Sequence, residues 1–484
     1  MDQDFHYYGT YYAAKKSGLN TKDATLVAKA SNFIDFFNET TYAGYWKLVS
    51  DTKKSEKYNI VASMDNPRYT FQGGFLSTGL APEDGLWCSF HFTPGNYKDP
   101  ENSPTREMVH GEYVSKLLSP FKIRDTDAGW KELKKYSSKD SVQYKKDLEY
   151  GNLLNRPQSA LSRQMIMDAI KCATDNSRLE SILSCASGGQ YLLEKNKEDN
   201  LHRFRLILLG IRAHVIGDTW AHQDFSGIGS VLNTYWDVNY DPTSWNPSKM
   251  GYGRQSINYN DGTKEEWENK ILSSLHKLGN PNFEAVPNDT SFLGHGWMGH
   301  LPDFSFVKFR YKPCWANPEL DPIERNNPEE YKQAWIELVS LFSQASGTGQ
   351  LEQNKQFETD LKMATDAINS PRQLEGDVIG RKSSADAWQD IFGDQPSTNI
   401  DVIAEPDANA VLDGMIEMTT ASSRFGTNYV NVNSDLYLFQ IAADYHFNFV
   451  KHYLESHDIY QFKGSWSQQT SALSPEILNL FKDN

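Results

Sequence analysis

The most apolar stretch of the chain lies within about 198–223 and reads LHRFRLILLGIRAHVIGDTWAHQDF from Leu201 onward. Leu206, Ile207, Leu208, Leu209 and Ile211 cover it nearly all round, and a helix apolar on every side is a buried helix. Helical spacing also marks 10–38, through Ala13, Ala14, Leu26, Val27, Ala30, Phe33 and Ile34. It breaks at Gly18-Leu19-Asn20 and restarts at a cap on Thr21. The same periodicity predicts helices at 156–174, 176–195, 263–278, 327–347, 351–368, 408–421 and 434–457. Residues 40–105 differ: they are rich in Tyr, Phe, Gly and Pro, and their short alternating runs read as loops with a few strands. Residues 226–262 carry Tyr235, Trp236, Tyr240, Trp245 and Tyr252 without period, which predicts a long irregular loop of the kind that serves function. The pattern as a whole predicts a mainly α protein. It reads as one helical core with irregular insertions.

Composition narrows the classes. With 39% hydrophobic and 13% aromatic residues in 484, a large core is affordable and wholesale disorder is excluded. The net charge of -15 makes nucleic acid a poor default partner, because phosphate backbones want a basic surface. No run of about 20 apolar residues occurs, so no transmembrane helix is expected. The opening MDQDFHYYGT has no basic stretch followed by an apolar one, so the expected location is the cytoplasm, or export without a visible signal peptide. Cys88, Cys172, Cys185 and Cys314 are scattered with no CxxC pair, which argues for free thiols over disulfides or a thiolate zinc site. Ser226 sits in no GxSxG elbow, and no phosphate-cradling glycine loop is present.

The chemistry concentrates on the apolar helix. His214, Asp218 and His222 recur every four residues and fall within one quadrant of it. A buried aspartate between two imidazoles is costly unless something pairs with it, and a divalent cation would pair with all three. The plain alternative is a buried His–Asp hydrogen-bonded pair with an incidental third His. Other candidates are dispersed: His6 with Asp2 and Asp4, Asp35 at the end of the first helical stretch, and His91 in CSFHFTPG. A last group, His295, His300 and Asp303, lies in GHGWMGHLPDF, a glycine-rich stretch where no regular helix needs such residues. Asp35 or Asp224 could orient a water, and Tyr235, Trp236 and Trp245 could line a substrate pocket. Asp444 and His446 point to different faces of their helix and read as core packing with polar edges.

Taken in order, a His, an Asp, a His-Phe pair, HxxxDxxxH on a helix and a late His with a carboxylate resemble the superfamily of zinc-dependent phospholipases C and single-strand-specific nucleases. The segment RAHVIGDTWAHQDFSG is most similar to the phospholipase branch that includes glycosylphosphatidylinositol phospholipase D, where a Trp also precedes the final His. DFHYYGTYYAA, HFTPG and GHGxxGxxPD are similar to an uncharacterised bacterial relative. The likeness spans residues 1 to about 310 as dispersed motifs, and it implies a metal-binding helical core over 1–310, with insertions at about 40–150 and 226–262, and a helical part over 311–484 packed on that core. It implies a phospholipase C-like helical core with three zinc ions and a phosphoester-cleaving activity. His6, Asp35 and His91 would be early ligands, His214, Asp218 and His222 the helix ligands, and His295 or His300 with Asp303 the last pair. Asp35 and Asp218 would carry catalysis. The Asp218-to-His222 spacing is shorter than in the secreted bacterial phospholipases. Those enzymes also use an N-terminal amine as ligand; here Met1 precedes Asp2, so no amine ligand is expected and Asp2 or Asp4 could substitute.

The implied substrates are phospholipids or small phosphodiesters. Nucleic acid is less expected, since Arg310 and Lys312 near Asp303 make no basic track. A nuclease or nucleotidase, an iron or manganese enzyme on the same ligands, and a toxin or binding protein with a structural metal site are the rival readings.

Overall fold

The computed structural model describes residues 1, 4–38, 42, 44–50, 59–65, 67–71, 85–97, 150–228, 233, 235–240, 293–295, 301–313, 323–349, 351–370, 381–393, 415–418, 427–461 and 474–482. Of these, 62% are helical and 12% strand, so the protein is mainly α. A π-helical turn, Asp4–Gly9, leads into α1 (Thr10–Lys16) and α2 (Thr21–Phe33). After β1 (Tyr45–Val49), β2 (Ile60–Asp65) and α3 (Leu86–Phe90) come α4 (Ala160–Thr174), α5 (Asn176–Ser184) and α6 (Gly189–Glu194). The long α7 (Lys197–Ala221) is followed by β3 (Tyr235–Tyr240), β4 (Lys308–Pro313), β5 (Ile323–Asn326) and α8 (Asn327–Ala345). The order closes with α9 (Lys355–Ile368), α10 (Arg381–Phe392), β6 (Met415–Met418), β7 (Thr427–Asn431), α11 (Asp435–Ser456) and α12 (Pro475–Lys482).

The apolar segment becomes the axis of the fold. α7 packs on α2, α4, α8 and α11, and it separates two hydrophobic clusters. Phe204, Ile207, Ile211 and Val215 face one cluster, with Phe33, Trp46 and Phe439; Leu206, Leu209, Ala213 and Ile216 face the other, with Tyr11, Trp335 and Trp388. Polar groups within 206–219 of this helix are therefore buried. Arg212 meets Asp168 of α4 at 2.8 Å, both fully buried. Both clusters draw residues from either side of residue 310. The sheet order β2-β1-β7-β6 ties the same two parts together, with β1 parallel to β7 and Leu48 opposite Val430.

Several boundaries differ from the sequence pattern. The cap of α2 is Asn20, whose side chain accepts from the Asp23 N–H at 3.0 Å; Thr21 is the first helical residue. The stretch 176–195 is two helices, parted where Gly188 takes a positive φ of 72°. Within the expected loop 226–262, residues 235–240 form β3, paired antiparallel with β4. Within the expected helix 408–421, Met415–Met418 (MIEM) is a strand, because four residues are too few to show a period and the edge of β7 offers hydrogen bonds. The expected helix 263–278 lies outside the described residues. No helix among the described residues is long and apolar enough to cross a membrane. Among the described residues Cys88, Cys172 and Cys185 form no disulfide. His446 is buried with Nε2 donating to the Ser89 carbonyl at 2.7 Å, and Asp444 pairs with Arg68 at 3.2 Å.

Candidate metal centre

The C-terminal end of α7 organises the site. Its last carbonyls would be orphaned in a buried position. Buried Arg325 donates to the carbonyls of Trp220, Ala221 and Gln223 at 3.2, 2.7 and 3.2 Å, and Asn155 donates to that of Asp218 at 3.1 Å. A cation there also complements the helix dipole, and Glu330 balances it at 2.6 Å. The helix stops at Ala221, and His222 is its C-cap. His214 and Asp218 share one face of the helix, with His222 just beyond it.

Three groups of side chains converge there, and within each group the candidate ligand atoms lie within 4.8 Å of one another. They are His6, His214 and Asp218; Asp35, His91 and His214; and His222, His295 and Asp303. Asp218 is the hub. Its Oδ1 is 3.1 Å from His6 Nε2; its Oδ2 is 3.2 Å from His214 Nε2 and 3.5 Å from His91 Nδ1. Asp35 Oδ1 is 3.7 Å from His91 Nδ1 and 3.8 Å from His214 Nε2. Asp303 Oδ1 is 3.1 Å from His222 Nε2 and 3.4 Å from His295 Nε2. The rings of His6 and His214 stack with centroids 3.7 Å apart, and Phe92 lies 4.7 Å from His222 in the same manner. Just before His295, Gly294 has φ +53°, and a Cβ there would fall 2.0 Å from the Phe92 ring, so only glycine lets His295 approach.

The outer nitrogens of these rings decide what the inner ones can be. His214 Nδ1 lies 2.9 Å from the Ser31 carbonyl, His91 Nε2 2.9 Å from that of Thr70, and His222 Nδ1 2.8 Å from that of His91. A carbonyl oxygen only accepts, so each outer nitrogen carries the proton and each inner nitrogen of a neutral ring presents a lone pair. Burial keeps the rings of His6 and His222 neutral, lowering their pKa values to about 3 and about 4. Around Asp218 Oδ2, with His214 Nε2 and His91 Nδ1, acceptors thus face acceptors. Among the described residues Asp218 Oδ2 and His6 Nε2 are fully buried and make no hydrogen bond, although nitrogen and oxygen atoms lie 3.1–3.6 Å away. Burial alone would raise the Asp218 carboxyl, but His222, the Met1 amine and His214 outweigh it and hold it well below the usual range. Two acceptors bound to one zinc ion at tetrahedral angles lie about 3.3–3.6 Å apart. The spacing here fits that donor set, and a cation shared between the acceptors would remove the conflict.

Eight of the nine residues expected from sequence as ligands meet in these groups; the ninth, His300, lies outside the described residues, as do Asp2 and Trp245. Asp4 is buried near Ser305 and belongs to none of the groups. The Met1 nitrogen lies among the groups, 2.6 Å from Asp218 Oδ1, 3.0 Å from His222 Nε2 and 3.3 Å from Asp303 Oδ1. Asp224 is no free base. It is buried between Arg156 at 2.9 Å and the Tyr311 hydroxyl at 3.1 Å. Tyr235 and Trp236 lie on β3, and their side chains fall outside the described residues. Sequence reasoning missed the three carbonyls, which no side-chain pattern reveals. Solvent reaches the groups at Asp35, whose side chain is 30% exposed, and at His295, 15% exposed. His6, His214 and Asp218 lie behind them, at 1% or less.

Beside the centre, Glu337 of α8 accepts the Trp220 indole N–H at 2.6 Å, and burial pushes its pKa up to about 7. For an acid raised above its unfolded value, folding favours the protonated form. That stability is present below about pH 4.5 and is lost as pH rises toward 7. Glu337→Gln keeps an acceptor for the indole. It is expected to leave stability nearly unchanged at pH 5 and to raise it by about 1–3 kcal/mol at pH 8, after allowance for partial solvent screening. Denaturant midpoints at the two pH values measure this, and equal shifts at both would refute it.

The chain belongs to DUF6765, a family of unknown function, whose model matches residues 1–454. That span includes all eight converging residues. Neither a curated protein nor a solved structure matches the chain.

Proposed function

We propose that this protein is a metal-dependent hydrolase of phosphoester bonds, binding two or three zinc ions and acting on phospholipid-like or small phosphodiester substrates. The observation that carries the reading is the set of buried acceptors facing one another around Asp218. His6, His214 and Asp218 would hold one ion, Asp35, His91 and His214 a second, and His222, His295 and Asp303 a third. When bound, such ions supply Lewis acidity toward a phosphoryl oxygen and lower the pKa of water. Asp35, on the solvent side with its side chain 30% exposed, would serve as the proton acceptor. The carbonyls of Ser31, Thr70 and His91 hold three imidazoles in the ligating tautomer. Two divalent ions would already outweigh the three carboxylates, leaving a positive pocket inside an acidic protein, which favours an anionic substrate. The likeness of the ordered motifs to the zinc-dependent phospholipase C and nuclease superfamily supports the same chemistry.

Elemental analysis of protein purified without chelator is expected to give two or more ions per chain; less than about one, after supplementation with zinc, iron or manganese, refutes the reading. Metal-loaded protein should release phosphorylated head group from mixed phospholipid micelles faster than it digests single-stranded DNA or RNA, with His214→Ala as the inactive control. Digestion of nucleic acid without lipid turnover would reassign the substrate. Bound metal with no turnover of either would make the site structural.

A further inference from the structure

We propose that Gly210 is a positioning residue for the metal centre: it lets α2 lie against α7 closely enough for Ser31 to orient His214 and for Asp35 to reach it. The inference rests on the metal-binding reading above. Gly210 is buried in the interior of α7, one turn before His214. Glycine is a poor helix former, so its presence there calls for a reason. The contact supplies one. A Cβ at 210 would stand 2.4 Å from the Val27 carbonyl oxygen, 2.7 Å from Ala30 Cβ and 3.1 Å from the Ser31 amide nitrogen. Two of these three atoms belong to the α2 backbone, so no side-chain rotation relieves the overlap and the helices would have to separate.

What separation would disturb is specific. Ser31, on the touching turn of α2, holds His214 Nδ1 through its carbonyl at 2.9 Å. Asp35, two residues past the end of α2, comes 3.8 Å from His214 Nε2. Thr10 Oγ1 bridges the same turn to the His6 segment, 3.5 Å from Ser31 Oγ and 3.4 Å from the Phe5 carbonyl. One interhelical distance therefore sets the tautomer of one ligand, the reach of a second and the seat of a third.

The test is the zinc affinity of full-length Gly210→Ala against wild type, by competition with a chromophoric chelator, together with the melting temperature of the metal-free proteins. Alanine is the better helix former, so propensity alone predicts a stabilised variant with unchanged affinity. Positioning predicts roughly 10- to 100-fold weaker zinc binding at unchanged helix content, the range for lost outer-sphere support of a ligand. Leu338→Ala, a buried change on α8 away from the contact, controls for instability and should melt lower while binding zinc as tightly as wild type. Should Gly210→Ala not fold, Ala30→Ser enlarges the α2 side of the same contact by one atom and is read the same way. Wild-type affinity in the variant overturns the role of Gly210 alone. Absence of zinc binding in wild type overturns the metal centre and this inference with it.

Discussion

Asp218→Ala is expected to remove most of the bound metal and to erase the effect of chelator on melting. Among the described residues Asp218 is the carboxylate that approaches His6, His91, His214 and His222 together, so its loss opens the first group and weakens the cohesion of the other two. His6 and His222 stay neutral by burial and cannot replace its charge. A ligand present at a thousandfold over its dissociation constant stabilises the folded state by about 4 kcal/mol, and the variant forfeits that contribution. In zinc, wild type should melt well above the variant; in EDTA the gap should shrink sharply. Asp218→Asn, which keeps the volume and loses the charge, should behave like the alanine variant. The idea fails if wild type melts identically with and without EDTA, since the cluster would then be a packed polar core.

The sequence carried the centre of this site and little of its support. α7 was legible because its apolar residues surround three polar ones spaced by four, and burial of that set followed from the pattern. His6, Asp35, His91, His295 and Asp303 stand alone along the chain, and only their order pointed to a common place. The carbonyls of Ser31, Thr70 and His91 were invisible because every residue has one. Asp224 was misread because Arg156 and Tyr311 approach it from elements 68 and 87 residues away. Met415–Met418 read as helix because four residues, three apolar and one charged, show no measurable period. Thr427–Asn431 gave no signal of its own; it is a strand because Tyr45–Val49, almost four hundred residues earlier, offers it an edge.

Asp35→Asn should separate catalysis from metal retention. Among the eight converging residues Asp35 is the most exposed, and its nearest contacts, His91 and His214 at 3.7 and 3.8 Å, are looser than those of Asp218. It follows α2 directly, so its backbone is held by the helix while its carboxylate stands where water enters. Burial raises its pKa, which makes it a stronger base than a surface aspartate. A general base contributes about 10²- to 10⁴-fold to rate, and that is the expected fall in kcat. The amide keeps the shape and one acceptor oxygen, so the two groups that lack Asp35 should hold their ions and the metal count should drop by at most one per chain. KM should change far less than kcat, because the loss lies in proton transfer and not in grip on the phosphoester. Steady-state kinetics on a small phosphodiester, run beside elemental analysis of the same sample, tests the assignment. Loss of two or more ions would make Asp35 a structural anchor of the cluster, and an unchanged kcat would move the base to another residue.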